Sequence, residues 1–445
     1  MAKKTGLHQY YNSMKRIVLK KGEEHRIKSG HPWVYNNEVL SVFDGKNAKP
    51  CGLDAGECAD IETYNKHYLG RAFVNPHSKI IARIYSPSKE GADSGFFKRR
   101  LREAFERRNY RDKHDSLRLV FGEADFLPGL IIDRFVGWSL RDIETNDIQK
   151  PLEFDKIHKI LGEPSVCVVV QILSFGMEAR REIILKALVE MLFQFYGEPL
   201  FILEKSSINA RQMEGLPPGE GIISGTVPED GIVIFENGYP FIVEFFSGQK
   251  TGHFLDQAEN HRAAAVYAQG KKIVLDAFCY TGGFAVHCAR SGAEKVIAAD
   301  SSKNAILLLK RNAVLNNVAD TITTVETDVF ELLTKYECAK KKFDLIVLDP
   351  PAFAKSRQAL DGAIRGYKEI NLKALLMLNK GGMLITSSCS FALSEINFKR
   401  IIHAAAQDAG KRIIQTEFRT QSPCHPILVG YDESHYLKCG IFTII

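Results

Sequence analysis

The nine cysteines of this chain contain no C-x-x-C pair and flank no histidine cluster, so neither a disulfide framework nor a zinc site is indicated. No apolar run approaches the ~18 residues that span a bilayer. The start, Met1-Ala-Lys-Lys-Thr-Gly6, leads into polar sequence rather than an apolar signal core. A cytoplasmic protein without a membrane partner is therefore expected. The nicotinamide fingerprint G-x-G-x-x-G is missing too: Asp276-Ala-Phe-Cys-Tyr-Thr-Gly-Gly283 has an acid and bulky residues where that motif needs glycine, which speaks against a dehydrogenase. Strong charge of one sign is absent, the net charge being +6 over 445 residues. With 45% hydrophobic and 25% charged residues, the composition is that of a globular chain long enough for two or three domains.

What is present is most informative between Lys271 and Phe284. Lys271-Lys-Ile-Val-Leu-Asp-Ala-Phe-Cys-Tyr-Thr-Gly-Gly-Phe284 reads as a strand ending in a glycine-containing turn that opens a helix. Gly282 and Gly283 let the backbone approach a ligand, and amides at the helix start suit a carboxylate. Many α/β folds need such a turn merely to reverse the chain. The next strand, Lys295-Val-Ile-Ala-Ala-Asp300, ends in an acid suited to accept both ribose hydroxyls of an adenosine. Downstream, Asp349-Pro-Pro-Ala-Phe353 puts another carboxylate at a strand end. Both turns belong at the carboxyl edge of one parallel sheet, where open α/β sheets bind ligands. This is the layout of an S-adenosylmethionine pocket facing a substrate base.

Three regions separate by pattern. From Met14 to Ser86 short alternating runs such as Ile80-Ile-Ala-Arg-Ile-Tyr85 are punctuated by turn residues, which predicts a β-rich domain. Ser86 to Gly95 is polar and breaker-rich, a linker candidate. A mixed α/β region follows, with strands at Leu130–Phe135 and Val166–Ile172 and a helix over Glu178–Tyr196. Gly215 to Gly225 reads as a loop. Ile232–Phe235 and Pro240–Phe245 are expected to form a hairpin, because Asn237-Gly238 favours the primed turns. From Ile273 onward strands and helices alternate, predicting a parallel, doubly wound sheet with a closing antiparallel hairpin of Arg412–Phe418 and Tyr436–Ile445. The expected domains are residues 1–88, 89–198 and 199–445.

Between Phe96 and Arg118 stand Lys98, Arg99, Arg100, Arg102, Arg107, Arg108, Arg111, Lys113 and Arg118. Two readings stay open: the solvated face of an amphipathic helix with Leu101, Ala104 and Phe105 inside, or a phosphate-contacting surface.

With these motifs in order, the chain resembles the 23S-type rRNA cytosine-C5 methyltransferases that carry an N-terminal PUA domain. The resemblance covers nearly the whole length. It rests on Lys20-Lys-Gly-Glu23, Ser29-Gly-His-Pro-Trp-Val-Tyr35, Asp125-Phe-Leu-Pro-Gly-Leu-Ile-Ile-Asp-Arg134, Glu236-Asn-Gly238, Gln249-Lys-Thr-Gly-His-Phe-Leu-Asp-Gln257, Asp276 to Gly283, Asp349-Pro-Pro-Ala-Phe-Ala-Lys-Ser356 and Ser388-Cys-Ser390. It implies an N-terminal PUA domain that grips RNA, a central α+β domain and a Rossmann-like methyltransferase domain. It further implies S-adenosylmethionine as cofactor, large-subunit rRNA as partner and a homodimer, although no segment marks an interface. Residue by residue it implies Phe278, Tyr280 and Gly282 at the methionine end, Asp300 at the ribose and Asp328 at the adenine edge, with Asp276 and Asp349 also among the cofactor-binding residues. The chain departs from the family at Ser422-Pro-Cys-His-Pro426, where an aspartate usually precedes the histidine, and at His253, where an aromatic is usual.

Carbon 5 of cytosine is a poor nucleophile, and methylating it needs a thiolate to add at carbon 6. Cys389 follows the strand Met383–Ser387, which puts it on the same rim as Asp349; the expected nucleophile is Cys389, with Cys279 as rival. Asp349 is expected to hydrogen-bond cytosine N3 or N4. No second cysteine follows Pro350-Pro351, and nothing in the sequence names the base that removes the carbon 5 proton. Phe353 is expected to support a flipped base. Lys20, Lys21, Arg26 and Lys28 around the turn carrying Trp33 are expected phosphate contacts, with a core role the alternative for Trp33. Two rival functions remain: methylation of a base nitrogen, which D-P-P followed directly by an aromatic would suit although here Ala352 separates Pro351 from Phe353, and a non-catalytic RNA-binding assembly factor.

Overall fold

Apolar runs four to seven residues long, too short and too β-branched for helices, supply the strands of this chain. The computed structural model describes residues 14–45, 49–108, 112–246, 251–353 and 360–445. Met1 to Gly6, Arg111, Gln249-Lys250 and Ala354-Lys355-Ser356 from the motifs above lie outside the described residues. The chain divides into two units, 1–136 with 165–227 and 426–434, and 137–164 with 228–425 and 435–445.

In the first unit, β1 (Lys15–Leu19), β2 (Trp33–Tyr35), β3 (Val39–Phe43), β4 (Cys58–Glu62), β5 (Tyr68–Val74) and β6 (Ile80–Ser86) form a sheet in the order β2-β6-β5-β4-β1-β3. Ile17, Leu19, Ile27, Val34, Ile61, Val74 and Ala82 close its core. The helix α1 (Ser94–Glu106) is capped by Asp93, whose side chain accepts from the Phe96 amide at 2.9 Å. A second sheet of this unit holds β7 (Leu117–Phe121), β8 (Leu130–Ser139), β9 (Ser165–Ile172), β10 (Phe201–Lys205) and β11 (Glu220–Gly225), and α2 (Arg181–Tyr196) packs against α1.

Two expectations meet the structure here. The glycine-rich stretch read as a loop ends in β11, which pairs antiparallel with β10; it is an edge strand held by backbone bonds, and its two isoleucines, between Gly221 and Gly225, stay unburied. Much of the basic run, where described, is bonded to the unit's own acids, while Arg102 donates to Gln194 at 3.1 Å. Arg107 and Arg108 grip the buried Asp125 at 2.7 and 2.8 Å, Arg118 meets the buried Asp133 at 2.7 Å, and Lys98 pairs with Glu190 at 2.5 Å. Leu101, Ala104 and Phe105 are fully buried, as the amphipathic reading requires.

In the second unit, β12 (Ile232–Glu236) and β13 (Tyr239–Val243) make the expected hairpin, with Asn237 and Gly238 at φ 52° and 83°. β12 also pairs with Gly137–Ser139 at the end of β8. The helix α3 (Ala258–Ala268) then leads into the large sheet. It comprises β14 (Ile273–Ala277), β15 (Lys295–Asp300), β16 (Ile322–Glu326), β17 (Phe343–Leu348), β18 (Leu378–Ser388), β19 (Ile413–Arg419) and β20 (Lys438–Ile444) in the order β16-β15-β14-β17-β18-β20-β19. The first five are mutually parallel; β20 pairs antiparallel with β18, and β19 antiparallel with β20. Helices α4 (Gly283–Arg290), α5 (Lys303–Leu315), α6 (Val329–Cys338), α7 (Leu360–Met377) and α8 (Glu395–Asp408) connect and cover the strands. Strand order reverses between β14 and β17, where Ala277 pairs with Leu348; ligands of open α/β sheets bind outside the carboxyl ends at such a switch point. Among the described residues no helix is long and apolar enough to cross a membrane.

Candidate active site

The chain leaves β14 just past Asp276, at Ala277, and makes a strained turn before α4. Phe278 and Tyr280 take φ of 67° and 47°, values that L residues rarely adopt. The turn is held from the neighbouring strand: Asp300, ending β15, accepts from the Tyr280 amide at 2.9 Å and from the Ser302 amide at 2.8 Å. Each of its oxygens keeps a lone pair for a further donor. Gly282 caps α4 with φ 91°, and a Cβ there would lie 2.1 Å from Leu309 Cδ1. A Cβ on Gly283 would lie 2.3 Å from the His261 ring. The glycines are thus required by close packing beneath the turn as well as by its backbone.

Asp276 is fully buried, and among the described residues neither of its carboxylate oxygens has a hydrogen-bond partner of good geometry. Burial chiefly, and the charge of Asp349 next, push its carboxyl up to about 7; Asp300 adds to this, while His261 and the Ala285 amide oppose it. A buried carboxylate without partners is costly unless something cationic or donor-rich meets it. S-adenosylmethionine fits: it offers an ammonium and a sulfonium for a rim lined by Asp276, Asp300 and Asp349. Asp328, expected at the adenine edge, is exposed and caps α6, its Oδ1 accepting from the Glu331 amide at 3.1 Å.

On the other side of the switch point stand Asp349 and Cys389. Gln257 donates to Asp349 Oδ1 at 2.9 Å, and its own oxygen accepts from Asn260 at 2.6 Å, so the carboxylate is oriented by a side chain that is itself held. Cys389 is partly exposed whereas Ser388 and Ser390 are fully buried. Both serine hydroxyls meet the Tyr367 hydroxyl, at 2.9 and 3.1 Å, which clamps the turn on either side of Cys389. Its Sγ lies 4.0 Å from the Pro350 carbonyl oxygen, next to Asp349. The rival Cys279 is buried, and burial holds its thiol well above the usual range, which suits packing rather than attack. Phe353 packs at 4.7 Å from Tyr367, 5.8 Å from Phe330 and 6.4 Å from Phe278, ring centre to ring centre.

Behind the cofactor turn lies a cluster that sequence reasoning missed apart from the unexplained His253. Glu236 accepts from His261 Nδ1 at 2.6 Å and meets His253 Nε2 at 2.9 Å. Burial alone would raise the Glu236 carboxyl, but the two histidines hold it well below the carboxylate range. His287 sits 3.7 Å from the same oxygen, its Nδ1 donating to the Gly283 carbonyl at 2.7 Å. Glu236, His261 and His287 meet the spacing of a metal site. However, His261 already shares a proton with Glu236, and the Asn237 amide faces His287 Nε2 at 3.1 Å. This is a closed hydrogen-bond network under Gly283. The segments that hold these residues are far apart in sequence, and only the density of histidine near the Asn237-Gly238 hairpin could have signalled it.

The expected RNA contacts lie in the first unit. Lys20 and Lys28 are exposed, Lys20 donating to the Asn37 carbonyl at 2.7 Å. Arg26 is committed to Glu38 at 2.6 Å and to the Trp33 carbonyl at 3.1 Å. Trp33 is half-buried, donates to Glu123 at 2.7 Å and packs edge-on against Tyr431. Its indole N–H is therefore spent inside the unit.

Two family models match: a PUA-like domain over residues 17–87 and an S-adenosylmethionine-dependent methyltransferase over residues 185–424. Ribosomal RNA large subunit methyltransferase I of Cronobacter sakazakii is 37% identical over 428 residues, covering 95% of this chain and 98% of the relative. The protein of the same name from Aeromonas hydrophila is 39% identical over 429 residues, covering 95% and 97%. In fold, the chain is similar to a Streptococcus mutans protein described as a S-adenosylmethionine-dependent methyltransferase, with TM-score 0.75, 20% identity and coverage of 96% and 99%. A methyltransferase solved with S-adenosylhomocysteine matches at TM-score 0.76, again at 20% identity and the same coverage. The cofactor is S-adenosylmethionine, and the chain belongs to the S-adenosylmethionine-dependent methyltransferase family whose members include ribosomal RNA large subunit methyltransferase I.

Proposed function

We propose that the protein methylates carbon 5 of a cytosine in large-subunit rRNA through a covalent adduct with Cys389. The observation that carries this reading is the presentation of that thiol: partly exposed between two buried serines, clamped by Tyr367, beside the Asp349 turn. Methylation of a base nitrogen has no use for a nucleophile there. The relatives' name supports large-subunit rRNA as the substrate. Lys20 and Lys28, with the PUA-like domain, supply the phosphate contacts in this reading.

The chemistry follows from the side chains. The Cys389 thiolate adds to carbon 6, and the electron pair of the 5,6 double bond moves to carbon 5. Asp349, held by Gln257, accepts from the cytosine N4 amino group, or donates to N3 when protonated, and so steadies the charge that gathers on the ring. S-adenosylmethionine supplies an electrophilic methyl group on a sulfonium. Once carbon 5 carries the methyl group, loss of its proton to a base restores the double bond as the Cys389 thiolate departs. Phe353 gives the extruded base an aromatic neighbour.

Nucleoside mass spectrometry of unmodified large-subunit rRNA incubated with labelled cofactor tests the product. Labelled 5-methylcytidine with the wild type and none with Cys389→Ala is expected. Label in a methylated guanosine or adenosine would replace this reading with nitrogen methylation. No incorporation despite intact cofactor binding would favour an RNA-binding assembly factor.

A further inference from the structure

A lysine buried in a strand must lose its hydration, and it stays charged only if something nearby repays that loss. Lys438 opens β20 and stands directly opposite Ser388 of β18. It is 1% exposed. Its Nζ donates to the Ser390 carbonyl at 2.8 Å. The side chain thus runs beneath the Ser388-Cys389-Ser390 turn, bonded to the residue after the thiol while its backbone is paired with the residue before it.

We propose that Lys438 is a positioning residue whose buried ammonium holds Cys389 as the thiolate before the substrate base arrives. This deepens the covalent reading above and rests on it. Burial pulls the Lys438 amine down to about 8, and the charges of Cys389 and then Glu395 pull it back up. The attraction is mutual: whatever a thiolate does to keep an ammonium protonated, the ammonium does to keep the thiol ionised. Other groups around the turn act weakly or in the opposite sense. Tyr367, from α7, contributes a neutral hydroxyl to the flanking serines. Glu395, at the start of α8, competes with the thiolate for the ammonium. Asp349 sits one residue from the Pro350 carbonyl that faces Sγ, and a carboxylate there disfavours a second negative charge. A thiol on an acidic rim therefore needs a cation, and Lys438 is the cation that the Cys389 turn carries.

The test is the pH dependence of Cys389 alkylation by iodoacetamide in the full-length, cofactor-free protein, followed by mass spectrometry of the Cys389 peptide. Three variants separate charge from packing. Lys438→Gln keeps a donor for the Ser390 carbonyl without the charge, Lys438→Met removes both, and Lys438→Arg restores the charge. The wild-type midpoint is expected below the ~8.5 of a free thiol. Lys438→Gln and Lys438→Met should raise it by about one pH unit, a roughly ten-fold slower alkylation at pH 7, while Lys438→Arg returns it toward wild type. Binding of S-adenosylhomocysteine, measured by calorimetry, confirms that each variant is folded.

An unchanged midpoint in a folded Lys438→Gln would overturn the proposal. So would a variant that loses stability while its remaining folded fraction alkylates like wild type, since that is the mark of a purely structural lysine. Trapping with 5-fluorocytidine-containing RNA runs beside it. If the adduct forms but the midpoint does not move, the lysine role fails and the covalent reading stands. If the midpoint moves but no adduct forms, the coupling is established and the covalent reading fails.

Discussion

Replacing Asp276 by asparagine should make the cofactor-free protein more stable and the cofactor weaker at once. The carboxyl titrates at about 7 instead of the usual 3.8 because it is fully buried and faces Asp349. The unfolded chain gives up that proton near pH 4, whereas the folded protein keeps it until pH 7. Between those values the folded state binds more protons, so raising the pH erodes its stability, and above pH 7 the loss is complete. At about 1.36 kcal/mol per pH unit, the gap between 3.8 and about 7 corresponds to about 4 kcal/mol as a ceiling. Asparagine mimics the protonated acid and removes that loss. In thermal melts followed by circular dichroism, Asp276→Asn should exceed wild type at pH 8 by up to about 16 °C, given ~2–4 °C per kcal/mol for a unit of this size. Near pH 4 the two should converge.

Cofactor binding should show the mirror image. A ligand ammonium that pairs with ionised Asp276 must first displace its proton, so wild-type affinity for S-adenosylhomocysteine should be about ten-fold weaker at pH 6 than at pH 8. Calorimetry at pH 7 in buffers of different ionisation enthalpy should register release of a substantial fraction of a proton. Asp276→Asn should bind more weakly, about ten- to a hundred-fold at pH 8, with the pH dependence gone. If the variant melts below wild type at pH 8, or binds with unchanged affinity and the same pH slope, then Asp276 is a structural acid and the assignment of the pocket's charged end is wrong.

Gly282→Ala forces a side chain into a φ of 91° and to 2.1 Å from Leu309, which should lower stability by about 2–4 kcal/mol and abolish measurable S-adenosylhomocysteine binding in calorimetry. Tyr367→Phe leaves two buried serine hydroxyls without their shared partner; about 1–3 kcal/mol lost in urea unfolding and slower trapping of 5-fluorocytidine RNA are expected. Gln257→Leu frees Asp349 from its donor, so turnover should fall by at least ten-fold while S-adenosylhomocysteine affinity holds within a factor of two to three. Glu236→Ala removes the anion shared by His253 and His261 and should cost about 3–5 kcal/mol, read as a lower urea midpoint.

The architecture of the second unit was legible because a parallel sheet buries both faces of its strands, so Ile273–Ala277 and Phe343–Leu348 stand out as continuous apolar runs. The acids that end β14, β15 and β17 announced the rim for the same reason: a charge closing an apolar run has to sit where the sheet ends. Residues that act by long-range pairing left no such mark. Lys438 looks like any strand-edge lysine until β20 is laid against β18. Gln257 lies inside a recognisable block, but nothing local says that its amide reaches Asp349. Tyr367 sits in α7 on an ordinary apolar stripe, and only its pairing with two serines of another element makes it more than core. Glu220–Gly225 hid for the opposite reason, since an edge strand is held by backbone bonds that any residue can make.

These residues share one electrostatic logic. The carboxyl rim gathers Asp276, Asp300, Asp349 and the Cys389 thiol, four groups whose ionised forms repel one another. A fold selected for stability alone would not assemble them, and the upward displacement of Asp276 is the direct sign of the tension. The tension is resolved unevenly along the rim. Asp300 spends its charge on the Tyr280 and Ser302 amides, Asp349 on Gln257, and Cys389 has the Lys438 ammonium beneath it. Asp276 alone has no partner of comparable strength among the described residues. If the Asp276→Asn tests hold, a cationic cofactor would meet the protein where its own charge is least satisfied, and the free energy that an unpaired carboxylate withholds from the apo fold would become available to cofactor binding.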